Sequence, residues 1–235
     1  FGGFRAVDNF TTTVEKGELR VVLGPNGAGK TTLMDLISGK TKATSGKVRL
    51  IGRDITNLPE HKIARSGVGR KFQIPSIFRE LTAFQNLQVA ASQQTSILGS
   101  LKFSQSELEK SIIDEVINTC SLLDFLDKPA GDLAHGQMQW LELGMLISKR
   151  PSLILLDEPT AGMTRDETYK TAEIIKRLRG DHTLIVVEHD MAFVKEIAEV
   201  ITVMHLGKLL AQGDINEIER NPAVQEAYLG SGGIH

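Results

Sequence analysis

The run Gly24-Pro25-Asn26-Gly27-Ala28-Gly29-Lys30-Thr31 fits the pattern G-x-x-x-x-G-K-[ST]. Glycines at these positions let the backbone wrap so that successive N–H groups face phosphate oxygens. A helix starting at Lys30 adds its positive N-terminal end. In such a loop Lys30 bridges the β- and γ-phosphates, and Thr31 offers its hydroxyl to Mg²⁺. The chemistry implied is nucleotide binding. A second group is Leu153-Ile154-Leu155-Leu156-Asp157-Glu158, four apolar residues that build a buried strand with two carboxylates at its C-terminal end. Ligands of open α/β sheets sit at that edge. Asp157 is suited to hold Mg²⁺ directly or through water, and Glu158, one residue on, to polarise an attacking water. Alone, two acids before Pro159 also fit a solvent-facing turn; the phosphate loop elsewhere in the chain favours the catalytic reading.

These residues need a scaffold, and the pattern supplies one. Glu18–Leu23 reads as a short buried strand, Gly24–Gly29 as the loop, and Lys30–Ser38 as a helix closed by Gly39. Lys47–Leu50 is expected as an edge strand before a Gly52-Arg53-Asp54 turn. The middle third differs. Ala91–Ser106 is rich in Ser and Gln and reads as a loop. Ser104 and Glu107 then have capping-box spacing, with Leu108, Ile112, Ile113 and Val116 repeating on one helical face. A further helix is expected over Gln137–Lys149, stopping before Pro151. The last third alternates again: strand Ser152–Asp157, helix Asp166–Arg179, strand Thr183–Glu188, helix Met191–Ala198, then a hairpin of Val200–His205 and Lys208–Gln212 split at Gly207. Continuous apolar strands between helices imply a parallel sheet covered on both faces.

The sequence of 235 residues balances 27 Lys+Arg against 29 Asp+Glu, a formal charge of −2, which offers no bulk argument for nucleic-acid binding. Hydrophobic residues at 41% and charged residues at 24% argue against global disorder. The single cysteine, Cys120, excludes an internal disulfide and a cysteine-based zinc site and reads as buried core. Apolar runs such as Leu153–Leu156 and Leu184–Val187 are too short to span a bilayer. No basic-then-apolar signal segment opens the sequence. The expectation is a cytosolic protein able to dock on a membrane protein. The basic cluster Arg65, Arg70 and Lys71 reads as a solvated or interdomain surface. His61, His182, His205 and His235 lack metal-ligand spacing.

Five segments together resemble the ATPase subunit of ATP-binding cassette (ABC) transporters over nearly the whole chain. Besides the phosphate loop and the Leu153–Glu158 segment, Lys71-Phe72-Gln73 resembles the family's glutamine loop. Leu133-Ala134-His135-Gly136-Gln137 stands where the family writes Leu-Ser-Gly-Gly-Gln, and Val187-Glu188-His189-Asp190 resembles its switch-histidine segment. Phe1 sits where the family places an aromatic residue on adenine. The resemblance implies an α/β fold, a P-loop (RecA-like) parallel-sheet core with an antiparallel β edge and a helical insertion. It would form a single ATPase domain, with the core at 1–74 and 151–235 and the helical part at 75–150. ATP and Mg²⁺ are the implied ligands. Phe1, Gly24, Pro25, Asn26, Gly27, Ala28, Gly29, Lys30, Thr31 and Thr32 would hold ATP, and Thr31, Gln73 and Asp157 would hold the metal. Glu158, His189 and Gln73 would form the catalytic set. Two such cassettes, identical or different, would close head to tail, with Ala134, His135, Gly136 and Gln137 of each covering the other's ATP.

The implied partners are two transmembrane permease subunits and, through them, a periplasmic or extracellular binding protein, with no nucleic acid. The implied location is peripheral, on the cytoplasmic face of the cell (inner) membrane. Two departures stand out. Ala134 removes a hydroxyl from the signature segment and His135 replaces a glycine, while Ala161-Gly162-Met163-Thr164 lacks the family's usual aspartate. His-Gly-Gln followed by Met138-Gln139-Trp140-Leu141-Glu142-Leu143-Gly144, with Glu188-His189-Asp190-Met191, resembles urea and short-chain amide importers within the branched-chain amino-acid uptake group. The other class weighed is a soluble cassette ATPase acting on DNA or ribosomes, for which paired cassettes or strongly basic linkers would be expected. A P-loop GTPase would need an Asn-Lys-x-Asp segment, which is absent.

Overall fold

The computed structural model describes residues 5–71, 77–92 and 106–229. The chain divides into two compact units. The first, Phe1–Arg70, Ser152–Pro159 and Arg179–His235, is built on a six-stranded sheet. Its strands are β1 (Leu19–Leu23), β4 (Val68–Arg70), β5 (Leu153–Asp157), β6 (Thr183–Val187), β7 (Val200–His205) and β8 (Lys208–Gly213), in the order β4-β5-β6-β1-β7-β8. β1 runs parallel to both neighbours, with Val21 opposite Val186 and Ile201. Every residue of β1 is buried, as are the first four of β5, which is why β5 reads as an unbroken apolar run and β1 as one interrupted only by Arg20. Only the β7–β8 edge is antiparallel. Its turn, Leu206-Gly207, has positive φ at both residues, the geometry that matches strand twist in two-residue hairpins. Arg20 is the charged residue inside β1; its guanidinium is satisfied by Thr202, Gln212, the Thr13 carbonyl and Glu18.

Helix α1 (Lys30–Ser38) follows β1 directly and ends at Gly39, left-handed at φ 82°. Met34 on α1 joins Val22, Leu155, Ile185 and Met204 in the core of this unit. Lys47–Leu50 does not add to the large sheet. Only Arg49–Leu50 (β2) is extended, and it pairs with Arg53–Asp54 (β3) around a turn at Ile51-Gly52, so of the residues expected as a turn Gly52 is one and Arg53 and Asp54 form a strand. Helices α2 (Glu60–Arg65), α7 (Met191–Ile197), α8 (Ile215–Arg220) and α9 (Pro222–Leu229) complete the unit's regular elements.

The second unit, Lys71–Pro151 and Thr160–Leu178, is helical and takes in residues beyond the 75–150 stretch marked by composition. It contains α3 (Ala83–Ala91), α4 (Glu107–Thr119), α5 (His135–Ile147) and α6 (Arg165–Leu178). α6 belongs here because buried Trp140 of α5 donates its indole N–H to Thr171 at 2.9 Å. The capping box of α4 forms at Ser106 and Glu109, two residues after the expected pair, of which Ser104 lies outside the described residues. Glu109 folds back to cap and is buried, whereas Leu108 is 52% exposed; Ile112, Ile113 and Val116 carry the apolar face. Cys120 is fully buried, and burial pushes its thiol up to about 12, so it is inert core.

Candidate functional site

The loop Gly24–Gly29 leaves the buried C-terminal end of β1 and turns into α1 through Gly29, whose φ of 102° suits glycine alone. A Cβ there would also strike the Ala6 carbonyl. Lys30, the first helical residue, donates from Nζ to the carbonyls of Gly24 and Pro25 at 2.6 and 3.1 Å. Burial pulls its pKa down, opposed by the charges of Glu158 and Asp157, so the three groups are electrostatic neighbours. Thr31 and Thr32 follow in the first turn of α1. Gly27 has open space around its Cβ position, and Asn26 and Gly27 face solvent. A cleft of ≈ 580 Å³ opens beside Pro25–Ala28, walled by Leu206, Leu210 and α9, a volume in the range of small-molecule sites.

Asp157 ends β5, two strands from β1 at the same edge of the sheet. Its side chain is 6% exposed, and burial raises its pKa against the pull of Arg70, whose Nη2 lies 3.7 Å away. Arg70 also bonds Asp35 on α1 at 2.6 Å and the Ser38 hydroxyl at 2.8 Å. Arg70 is therefore a buried cation between two carboxylates, which corrects the solvated half of its reading as a solvated or interdomain surface; Lys71 is half-buried, and burial brings its pKa down to about 8. Arg65 alone of that cluster is exposed. A buried oxygen donor at this edge, with the Thr31 hydroxyl on α1, is a donor set that fits a hard divalent cation.

Glu158 leaves the strand with φ 47°, a left-handed conformation uncommon outside glycine, held by its N–H bond to the Val187 carbonyl at 2.9 Å. The side chain is thereby turned outward, 45% exposed, with Oε1 3.5 Å from Nδ1 of His189. His189 is fixed from beneath. Buried Glu188 accepts the His189 backbone N–H at 2.9 Å, and Asp190 caps α7 through Ala192 and Phe193. A carboxylate and an imidazole thus stand within near-contact distance, an arrangement chemically able to hold and deprotonate a water.

In the helical unit, α5 begins at His135, two residues before the expected start, so Gly136 and Gln137 lie inside its first turn. Ala134 is the N-cap, but a methyl group accepts no hydrogen bond. Only half of a capping box forms, from Ala134 N–H to Gln137 Oε1 at 3.0 Å. Gly136 is buried and donates its N–H to Glu167, while His135 is exposed and reaches the Ala161 carbonyl.

A family model for the ABC transporter matches residues 7–161. The branched-chain amino acid transport ATP-binding protein BraF of Pseudomonas aeruginosa is 40% identical, over 98% of this chain and 94% of its own. LivG of Salmonella typhimurium, named likewise, is 37% identical over 98% and 94%. The chain belongs to the ABC transporter family. A nucleotide-free ATP-binding cassette from an ABC transporter superposes with a TM-score of 0.80 at 30% identity, covering 97% of this chain and 94% of that one. The ADP conformation of an ABC transporter cassette gives 0.83 at 30%, covering 98% and 94%. The fold is accordingly that of an ABC ATPase, and the chain is an ATPase domain homologous to ATP-hydrolysing cassettes.

Of the ABC motif residues, Gly24–Thr32, Asp157, Glu158 and His189 all belong to the sheet unit, and Ala134–Gln137 to the helical unit. Phe1 and Gln73 lie outside the described residues. Motif reading named Arg70 and Glu188 but missed their roles, and it missed Glu167 altogether. The first two offered no local signal. Glu167 did, because Thr164-Arg165-Asp166-Glu167 has capping-box spacing, and Thr164 and Glu167 do bond each other.

Proposed function

We propose that this chain is the ATP-hydrolysing subunit of an importer in the branched-chain amino-acid uptake group. It would work on the cytoplasmic face of the cell membrane as one of two paired cassettes bound to two permease subunits, with a periplasmic or extracellular binding protein delivering the substrate. The observation that carries the reading is the gathering of Lys30, Asp157, Glu158 and His189 in one unit at one sheet edge. Among the described residues no helix is long and apolar enough to cross a membrane, which leaves the crossing to partners.

The loop amides, Lys30 and Thr32 bind the triphosphate of ATP, and Thr31, Asp157 and Gln73 hold Mg²⁺. When bound, that ion supplies positive charge against the phosphate oxygens. Glu158 takes the proton of the attacking water, and His189 keeps Glu158 and the γ-phosphate in register. Phe1 stacks on the adenine. From the paired cassette, the start of α5, with Ala134, His135, Gly136 and Gln137, faces the γ-phosphate and presents its positive helix end to it. Phe78 is 52% exposed, on a turn pinned by buried Asn86, which bonds both the N–H and the carbonyl of Phe78. An apolar side chain held outward so firmly suits a permease helix seated beside Ile77 and Gln73.

Within that group, the finer reading is urea or short-chain amides. It is supported by the His135-Gly136-Gln137 signature and the Trp140-Leu141-Glu142-Leu143-Gly144 helix, whereas the relatives named above carry branched-chain amino acid names. The test is ATP hydrolysis by the complete transporter in proteoliposomes, with its binding protein loaded with urea, acetamide or leucine. Stimulation by urea or acetamide supports the finer reading. Stimulation by leucine alone refutes it and keeps the group, and hydrolysis that no permease or binding protein alters refutes the transport role.

A further inference from the structure

The two helices of the signature region run in register. Gly136 N–H donates to Glu167 Oε1 at 3.2 Å, and Trp140 donates to Thr171, both pairs 31 residues apart. Each helix advances four residues, about one turn, between these rungs. α5 and α6 therefore point the same way and bring their positive N-terminal ends side by side. One carboxylate joins those ends. Its Oε1 takes the Gly136 amide, and its Oε2 takes both the amide and the hydroxyl of Thr164, each at 2.9 Å. The fit is close enough that a Cβ on Gly136 would sit 2.5 Å from Oε1. His135 adds a bond from Nε2 to the Ala161 carbonyl at 3.1 Å, which requires the proton on Nε2. His135, one of the positions where this chain departs from its family, thus joins Glu167 in tying the signature segment to residues 161–167.

We infer that Glu167 is a positioning residue for ATP-driven pairing: by holding the Gly136 amide it ties down the first turn of α5, and so sets the rest of the signature segment in the orientation that meets the ATP of the second cassette. The inference rests on the head-to-tail pairing proposed above. A plainer role, a capping box that only stabilises α6, predicts different behaviour and can be separated from it.

The experiment uses the full chain carrying Glu158→Gln, so that ATP is retained, and follows association by analytical ultracentrifugation across an ATP titration. Adding Glu167→Ala is expected to raise the ATP concentration for half-association about tenfold, the effect of one lost charge-assisted hydrogen bond. Glu167→Gln keeps an oxygen for the Gly136 amide and should recover most of that loss. Thr164→Ala removes the hydroxyl cap of α6 but leaves the Gly136 bond, so it should lower the melting temperature without the tenfold shift. ATP binding by the unassociated chain should be the same in all, since the phosphate loop belongs to the other unit. Association of Glu167→Ala at the parent's ATP concentration overturns the inference, as does an equal shift in Thr164→Ala. If the Glu158→Gln parent does not associate at any ATP concentration, the pairing itself is refuted and this inference with it.

Discussion

Replacing Arg70 with methionine keeps the bulk of the side-chain stem and removes its charge. In the native protein the guanidinium bonds Asp35 at 2.6 Å and Ser38 at 2.8 Å and lies 3.7 Å from Asp157. The side chains of Arg70 and Asp157 are 7% and 6% exposed, so the variant leaves a buried carboxylate without its cation. Breaking such a pair destabilises by roughly 3–5 kcal/mol. Lys40, 3.9 Å from Asp35 but half exposed, compensates only partly, so the low end, about 3 kcal/mol, is expected. For a chain of this length that corresponds to a fall in melting temperature of roughly 6–12 °C. The pH dependence has a definite sign. Burial already raises the Asp157 pKa, and Arg70 lowers it, so the variant raises it further. A carboxyl whose folded pKa is raised favours the fold while protonated, and that contribution is lost as pH rises through the folded pKa. The variant's deficit should therefore be largest near about pH 8 and shrink near about pH 5, measured by urea unfolding of both proteins at each pH. A loss below about 1 kcal/mol, or a deficit that grows on acidification, would refute the ion-pair account.

Lys30→Ala should sharply reduce hydrolysis in the assembled transporter, because the β- and γ-phosphates lose their positioned cation; unchanged ATPase activity would reject the phosphate-loop assignment. Glu158→Gln should lower turnover about 10²–10⁴-fold while ATP binding persists, and single-turnover hydrolysis at the native rate would remove Glu158 as the base. Lys71→Met should stabilise the protein at neutral pH by up to about 3 kcal/mol. Its folded pKa of about 8 lies below the ordinary 10.5, a penalty present below pH 8 that fades as pH approaches 10.5, so urea midpoints should converge at high pH and a constant gap would contradict it. Cysteine at Phe78 should cross-link to a permease subunit in the complete transporter; links reaching only the other cassette would exclude this face as the docking surface.

How much of this was legible in the sequence depended on how local each cause is. β1, β5 and β6 stood out because burial on both faces forces runs that are apolar almost throughout, and the phosphate loop because glycine, lysine and threonine each answer a separate demand. β4 did not stand out: Val68-Gly69-Arg70 is too short to show a period, and it is a strand because β5 lies beside it. α3 carries a capping box at Thr82 and Gln85, but its Ala, Gln and Asn content gave a weak apolar period. The start of α5 was misplaced because Ala134 lacks the polar side chain that marks an N-cap. Arg70 looked like surface because its partners, Asp35 and Asp157, are far away in the chain. The contact of Glu167 with Gly136 likewise exists only once two helices have brought distant segments together, whereas Glu188 acts on its own neighbours, His189 and Asp190.

The misplaced helix start connects sequence to energetics and then to function. An alanine N-cap in place of serine or threonine forfeits about 1 kcal/mol, and in α5 the side chain of Gln137 restores only one of the bonds. The amide of Gly136, one of the two first-turn donors that a capping hydroxyl can accept from, is satisfied by Glu167 from a different helix. An anion in that position also offsets the repulsion between two adjacent positive helix ends. Deleting the serine hydroxyl therefore does not leave the signature segment unsupported; it transfers the support from a local cap to a tertiary contact. A local cap stabilises one helix wherever that helix goes. A tertiary contact stabilises α5 only while α6 and the Thr164 turn are in register with it, so the order of the signature segment is tied to the residues that follow Glu158.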